Sequence, residues 1–155
     1  MGYDLQAVVG GEVLRVGSRQ LPAARLASIG QGLSLMPMTD EFFDSIALGS
    51  EEGALGFWRL PEGFAKTLAD WSTAGPVAYV EAEYFGGVGE QTAVVWDAGA
   101  IVLGPLHEPE GRPSSPGGSP ISQALRRLGV VAGVGEDEFK AVGLGRHRSV
   151  DGWLA

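Results

Sequence analysis

Largely apolar runs follow one another between Pro76 and Leu106, with polar, glycine-containing segments between them. Runs rich in β-branched and aromatic residues occupy positions 77–85, 92–96 and 100–103. Turns that contain glycine separate these runs at hairpin spacing. This pattern predicts a β-meander of consecutive antiparallel strands, because such runs bounded by turn residues favour hairpins.

The first of these strands has two chemically different faces. Residues two apart in a strand point to the same side. One side is small and apolar, which predicts packing under a helix: Ala78, Val80, Ala82 and Tyr84. The other side carries carboxylates among its apolar residues: Val77, Tyr79, Glu81, Glu83 and Phe85. A polar corner is therefore expected where this strand meets the glycine-rich turn at residues 86–90.

Helices are predicted before and after the meander. Thr39 is a good N-cap for a short helix, since acidic residues that favour the helix dipole follow it. Residues 61–73 repeat apolar side chains at helical spacing. Ser119 caps a further helix with Pro120 at its first position, and residues 136–142 form another short helix.

The N-terminal half has a weaker pattern. Residues 3–9 predict a strand, and residues 12–16 predict its hairpin partner after a Gly-Gly turn. A short helix is predicted within residues 18–29, and a strand within residues 33–38. Residues 55–60 predict a short strand or an extended approach to the next helix.

These elements predict one α+β domain that spans residues 1–155. An antiparallel sheet with the meander at its centre would carry helices packed on one face. Residues 107–119 are rich in proline and glycine and have almost no apolar side chains. We expect this segment to be a mobile loop inserted in the domain, because it can bury little surface to offset the entropy of ordering.

Composition narrows the class of function. The chain has 155 residues, no cysteine and a formal net charge of −8. Without cysteine it has no disulfide, thiolate zinc site or thiol nucleophile. We find no secretory signal and no apolar run of about 18 residues, so we expect a cytoplasmic protein that does not span a membrane. Spread negative charge disfavours nucleic acid and anionic membranes, and suits a basic protein partner.

Glu81 and Glu83 are the leading candidates for a polar binding site. They point the same way on one strand, roughly 6–7 Å apart. That spacing fits paired carboxylates, and it also fits any solvated strand face. Glu90 and Gln91 complete this part of the candidate site. No catalytic residue, metal or cofactor is assigned, because the chain has no metal-ligand spacing, no nucleophile motif and no helix after its glycine-rich turn.

Arg146, His147 and Arg148 form the basic cluster of the chain. Arginine is suited to bidentate pairing with carboxylates. We therefore expect Arg146 or Arg148 to pair with a carboxylate of the candidate site: Glu81, Glu83 or Glu90. The large aromatic residues are assigned to the core: Trp58, Trp71, Trp96, Trp153, Phe42 and Phe43.

Two segments resemble signatures of a family of small, uncharacterised bacterial proteins. They are EAEYFGGVGEQ at residues 81–91 and GLGRHRSVDGWL at residues 143–154. The resemblance extends to ISQALRRLGV at residues 121–130, and it points to no particular chemistry. In size and charge the chain is also similar to bacterial immunity proteins, which block a partner toxin. That second likeness assigns no site residue.

The favoured function is that of a non-enzymatic binding protein, such as an immunity-type inhibitor of a basic toxin. The alternative is a small-molecule-binding protein or hydrolase that uses Glu81 and Glu83 together with Arg146 and His147. A third possibility is a structural subunit that forms an oligomer through its sheet edge, although the sequence sets no oligomeric state. A flat acidic face with exposed aromatics would favour the first function, and a deep pocket would favour the second.

Overall fold

A computed structural model describes residues 2–47, 54–85, 88–109 and 118–154 of the chain. Its centre is an antiparallel sheet with the strand order β2-β3-β1-β4-β5-β6. The strands are β1 (Gly2–Gly10), β2 (Ala27–Ser28), β3 (Ser34–Pro37), β4 (Val77–Phe85), β5 (Val88–Asp97) and β6 (Ala100–Glu108). The helices are α1 (Glu12–Ser18), α2 (Asp40–Ile46), α3 (Glu62–Trp71), α4 (Pro120–Arg127) and α5 (Glu138–Ala141). The predicted α+β single-domain fold is confirmed.

The predicted meander is confirmed, and it is longer than the sequence pattern indicates. Strands β4, β5 and β6 pair antiparallel in chain order. Strand β5 begins at Val88 because its pairing with β4 continues to the end of that strand. Between β5 and β6, Ala98 and Gly99 both have positive φ, 53° and 82°. Positive φ at both central residues is the geometry of a two-residue hairpin turn whose twist matches that of the strands.

The helices cover both faces of the sheet, so the prediction that they pack on one face is wrong. On one face, β-strand residues such as Val80 pack with Ile121 and Leu125 of α4. On the other, Tyr79 packs with Phe64 and Leu68 of α3 and with residues of α1 and α2. Alternate residues of one strand point to opposite faces, and here both sets are apolar near the middle of the sheet. The sequence pattern predicted both sets of residues on the strand, but it did not predict that helices pack on the face that carries Tyr79.

The helix caps confirm the predicted starts of two helices. The Thr39 side chain accepts a hydrogen bond from the Phe42 N–H at 3.2 Å, at the start of α2. The Ser119 side chain accepts one from the Ser122 N–H at 3.3 Å, at the start of α4. Each hydroxyl satisfies a backbone donor that has no partner within its helix.

The predictions for the N-terminal half are partly wrong. Strands β1 and β3 lie where expected. However, residues 12–16 belong to helix α1, because β1 pairs with β3 and β4 instead of with the segment that follows it. No helix is centred on residues 18–29: α1 ends at Ser18, residues 19–26 contain no helix, and the two-residue strand β2 follows. Residues 55–60 form no strand, and the chain there begins with a 3₁₀ turn at Ala54–Gly56.

The predicted loop at residues 107–119 starts later than expected. His107 and Glu108 lie in β6, where they pair with Thr92 and Gln91. Residues 110–117 fall outside the described residues, and the prediction of a mobile loop falls largely on them. No helix in the described part of the chain is long and apolar enough to cross a membrane.

Candidate functional site

Three acidic residues form a row across the centre of the sheet. Glu83 of β4 lies directly opposite Asp4 of β1 on one side and opposite Glu90 of β5 on the other. Directly opposed residues of antiparallel strands share a face, with their Cβ atoms about 4.5–5.5 Å apart. We call Asp4, Glu83 and Glu90 the acidic row. Like charges in this arrangement repel and destabilise the sheet.

Few basic groups lie close to the acidic row. The His107 Nε2 atom lies 3.4 Å from Glu90 Oε2, and both side chains are about half exposed. Among the described residues, no other basic nitrogen lies within 4.0 Å of a carboxylate oxygen of the row. The uncharged side chain of Gln6 donates a hydrogen bond to Asp4 Oδ1 at 2.6 Å, which adds no positive charge. The row therefore keeps most of its negative charge.

The neighbouring carboxylate, Glu81, is fully engaged with the protein. It accepts hydrogen bonds from the N–H groups of Trp58 at 2.8 Å and Arg59 at 2.7 Å. It also accepts one from the Tyr79 hydroxyl at 2.8 Å. Burial raises the pKa of Glu81, and these hydrogen bonds only partly offset that effect. Glu81 thus holds the main chain at residues 58–59 against the sheet.

The raised pKa of Glu81 predicts a specific pH dependence of stability. The folded chain binds a proton at this carboxyl more tightly than the unfolded chain, whose value is close to 4.5. Its stabilising contribution is therefore complete below pH 4.5 and is lost as pH rises through the folded pKa. We expect the difference in unfolding free energy, wild type minus Glu81→Gln, to decrease over that range. Urea unfolding at a series of pH values measures this difference, and an increase with pH would show that the hydrogen bonds outweigh burial.

Trp58 stands beside this carboxylate with its side chain in solvent. It is 69% exposed, whereas Trp96, Trp153 and Phe42 are buried as predicted. The assignment of Trp58 to the core is therefore wrong. Its apolar neighbour Phe57 occupies the core in its place, edge-on to the Tyr79 ring at 4.9 Å between centroids.

A cleft opens between Trp58 and the acidic row. We call it the acidic cleft; its lining comprises Gln6, Trp58, Glu81, Ala82, Glu83, Glu90 and Thr92. It holds about 170 Å³, less than the roughly 300–1,000 Å³ of typical small-molecule sites. A second depression, which Gln6 and Trp58 also line, continues past Asp4 to Asp40 and Asp151. Arg59 lines this depression as well, and its guanidinium pairs with Asp40. The surface is thus a shallow, predominantly acidic groove with an indole near its middle.

Gln91 lies on the opposite face of the sheet from the acidic cleft. It is buried, and its side-chain oxygen accepts a hydrogen bond from the Ile121 N–H at 3.0 Å. Together with Ser119, it satisfies backbone donors at the start of α4. Its contacts in the structure are those of a structural residue.

The basic cluster does not meet the carboxylates of the candidate site, so the predicted ion pairs are wrong. Arg146 donates to Ser28 O at 2.8 Å and lies over the ring of Trp153, with Cζ 5.5 Å from its centroid. His147 packs against the same ring at 4.7 Å. Trp153 belongs to the core on the face opposite Glu81. Arg148 is exposed, and its carbonyl accepts a hydrogen bond from the Asp4 N–H at 2.9 Å.

Sequence reasoning found Glu81, Glu83 and Glu90 but missed the residues that other segments add to the site. Asp4 and Gln6 alternate with apolar residues on β1, which is a weak signal that a polar face is present. Nothing in the sequence indicates that β1 lies beside β4. No group of three or more His, Cys, Asp or Glu side chains within the described ranges is arranged to hold a metal ion.

No protein-family model, curated protein or solved structure matches this chain. The resemblance of residues 81–91 and 143–154 to a bacterial family therefore stays a prediction.

Proposed function

We propose that the protein is a non-enzymatic binding protein whose acidic groove takes a basic segment of a partner protein. The observation that carries this proposal is the acidic row, in which Asp4, Glu83 and Glu90 oppose one another across three strands. Among the residues that the structure describes, His107 supplies the only basic nitrogen within 4.0 Å of a carboxylate of the row. Opposed carboxylates destabilise a sheet. A basic partner would neutralise this repulsion on binding, so the arrangement favours the complex over the free protein.

The exposed indole supports a protein partner. Aromatic residues that are rigidly placed near the centre of an interface commonly supply much of its binding energy. Trp58 has this position, with carboxylates on both sides of it along the groove. Complementary charge around such an anchor accelerates association and selects the partner.

We further propose that this binding makes the protein an immunity-type inhibitor that acts in the bacterial cytoplasm on a toxin with a basic surface. Nucleic acids and anionic membranes do not suit the groove, because their phosphates would meet its carboxylates. We favour binding over a small-molecule or hydrolase site because Arg146 and His147 contact Trp153 and because every described partner of Glu81 is a structural one.

The experiment compares two double variants with the same change in net charge. The immobilised protein captures its partner from the source cells, and the purified partner is then titrated against each variant by calorimetry. Glu83→Lys/Glu90→Lys reverses two charges of the acidic row, and we expect the Kd to rise at least about 100-fold. Glu62→Lys/Glu136→Lys reverses two exposed charges elsewhere and should change the Kd by less than about threefold.

The immunity role is tested separately in growing cells. Expression of the captured partner should arrest growth, co-expression of the wild-type chain should restore it, and the Glu83→Lys/Glu90→Lys variant should fail to do so. A partner that binds all three proteins with equal affinity would contradict the proposed binding surface. A partner whose expression leaves growth unchanged would contradict the immunity role alone.

A further inference from the structure

The side chain of Trp58 is exposed, and several contacts hold the main chain that carries it in place. Its own N–H and that of Arg59 donate to Glu81. Phe57 before it is buried, and so is Leu60 shortly after it. Arg59 is also fixed, because its guanidinium donates to Met38 O at 2.9 Å and pairs with Asp40. The backbone that carries the indole is therefore ordered before a ligand packs on it, which reduces the entropy lost on binding.

Gln6 supplies the cleft with a buried polar group that lacks a full set of partners. The residue is only 3% exposed and lines the cleft. Its amide nitrogen donates to Asp4, and because an ionised carboxylate only accepts, the amide oxygen must be the atom turned away from Asp4. No described residue donates to that oxygen. Among the described residues the buried side-chain atoms that lack a hydrogen-bond partner are Glu108 Oε1, Ser122 Oγ and Trp153 Nε1, so solvent still reaches the Gln6 oxygen. A ligand N–H group can therefore reach this oxygen through the cleft and replace water as its donor.

The size and charge of the acidic cleft restrict that ligand. A volume of about 170 Å³ suits one long side chain better than a drug-sized molecule. Exposed carboxylates of Glu83 and Glu90 require a cation. The flat indole of Trp58 favours a planar cation, which can stack on it.

We propose that the acidic cleft binds an arginine side chain of the basic partner, an inference that rests on the proposed function. A guanidinium group is planar and offers five N–H donors in a fixed fork. It can stack on Trp58 while it donates to the Gln6 amide oxygen and to Glu83. A lysine ammonium group carries the same charge but has no plane to stack and no fork to bridge two acceptors. The cleft therefore distinguishes arginine from lysine, and the acidic row alone does not.

The test uses two peptides of equal charge, acetylated hexa-arginine amide and acetylated hexa-lysine amide. Calorimetric titration of the wild-type protein should give a Kd for hexa-arginine about tenfold lower than for hexa-lysine. In the Trp58→Leu variant the two Kd values should become equal within about twofold, chiefly through weaker hexa-arginine binding. The matched control is Phe85→Leu, which removes an exposed aromatic (78%) from the end of β4 and should leave the discrimination intact.

The indole N–H resonance of Trp58, identified by its absence in Trp58→Leu, should shift with hexa-arginine and much less with hexa-lysine. Equal wild-type affinity for the two peptides would overturn the arginine assignment and leave the proposed function standing. Discrimination that survives Trp58→Leu would also overturn it. Failure of both peptides to bind would contradict the proposed function as well.

Discussion

Replacement of Glu81 by alanine is expected to lower the free energy of unfolding by about 3 kcal/mol, because hydrogen bonds to charged groups contribute roughly 1.5–3 kcal/mol each. The substitution removes the acceptor of three hydrogen bonds. Water can reach the exposed Trp58 N–H and restore part of the loss, but the hydroxyl of the buried Tyr79 is left without its partner. Urea unfolding measures the change. Hydrogen exchange of the Trp58 and Arg59 amides should become faster, since both are released from the sheet.

The matched control for this prediction is Glu83→Ala. Glu83 lies two residues further along the same face of β4, but it is exposed and its side chain makes no hydrogen bond or ion pair with a described residue. Its removal should change stability by less than about 0.5 kcal/mol. A slight gain is expected, because the substitution relieves repulsion with Asp4 and Glu90. Equal losses for the two variants would mean that Glu81 does not hold residues 58–59.

Replacement of Leu125 by alanine is expected to lower the free energy of unfolding by about 2–5 kcal/mol. Leu125 is completely buried between α4 and the sheet. Its truncation removes apolar contacts and leaves a cavity on the face opposite the acidic cleft. The acidic cleft should keep its shape, so the variant should still bind the partner when it is folded. Denaturant unfolding gives the loss, and calorimetry at a temperature below the transition gives the affinity.

Val134→Ala provides the comparison for Leu125→Ala. Val134 is an exposed apolar residue in the segment between α4 and α5, and its truncation should cost less than about 0.5 kcal/mol. A loss below about 1 kcal/mol for Leu125→Ala would mean that α4 does not seal this face of the sheet.

Local patterns predicted the elements whose signals are local. The alternation of Ala78 and Val80 with Val77 and Tyr79 identified β4. Both faces of this strand pack against apolar residues of other elements. The sequence also predicted the helix N-caps at Thr39 and Ser119, since a cap depends on residues only three positions away.

The candidate site was predicted only as far as it lies on one strand. Glu81 and Glu83 share a face because of strand geometry alone, but their neighbours depend on long-range pairing. Asp4 comes beside Glu83 through the register of β1 with β4, which no local pattern encodes. The expected partners of these carboxylates were wrong for the same reason. Charge complementarity suggested Arg146, whereas packing of Trp153 holds that arginine on the other side of the sheet.

The place of β1 in the sheet has a consequence for synthesis of the chain. Although β1 is made first, its pairing with β4 joins residues 2–10 to residues 77–85. None of those hydrogen bonds can form until residues 77–85 begin to leave the ribosome. Until then only β3 can pair with β1, along residues 7–10. The nascent chain therefore exposes an unpaired edge of β1, including residues such as Leu5 that are buried in the folded protein. Unpaired strand edges of this kind promote aggregation.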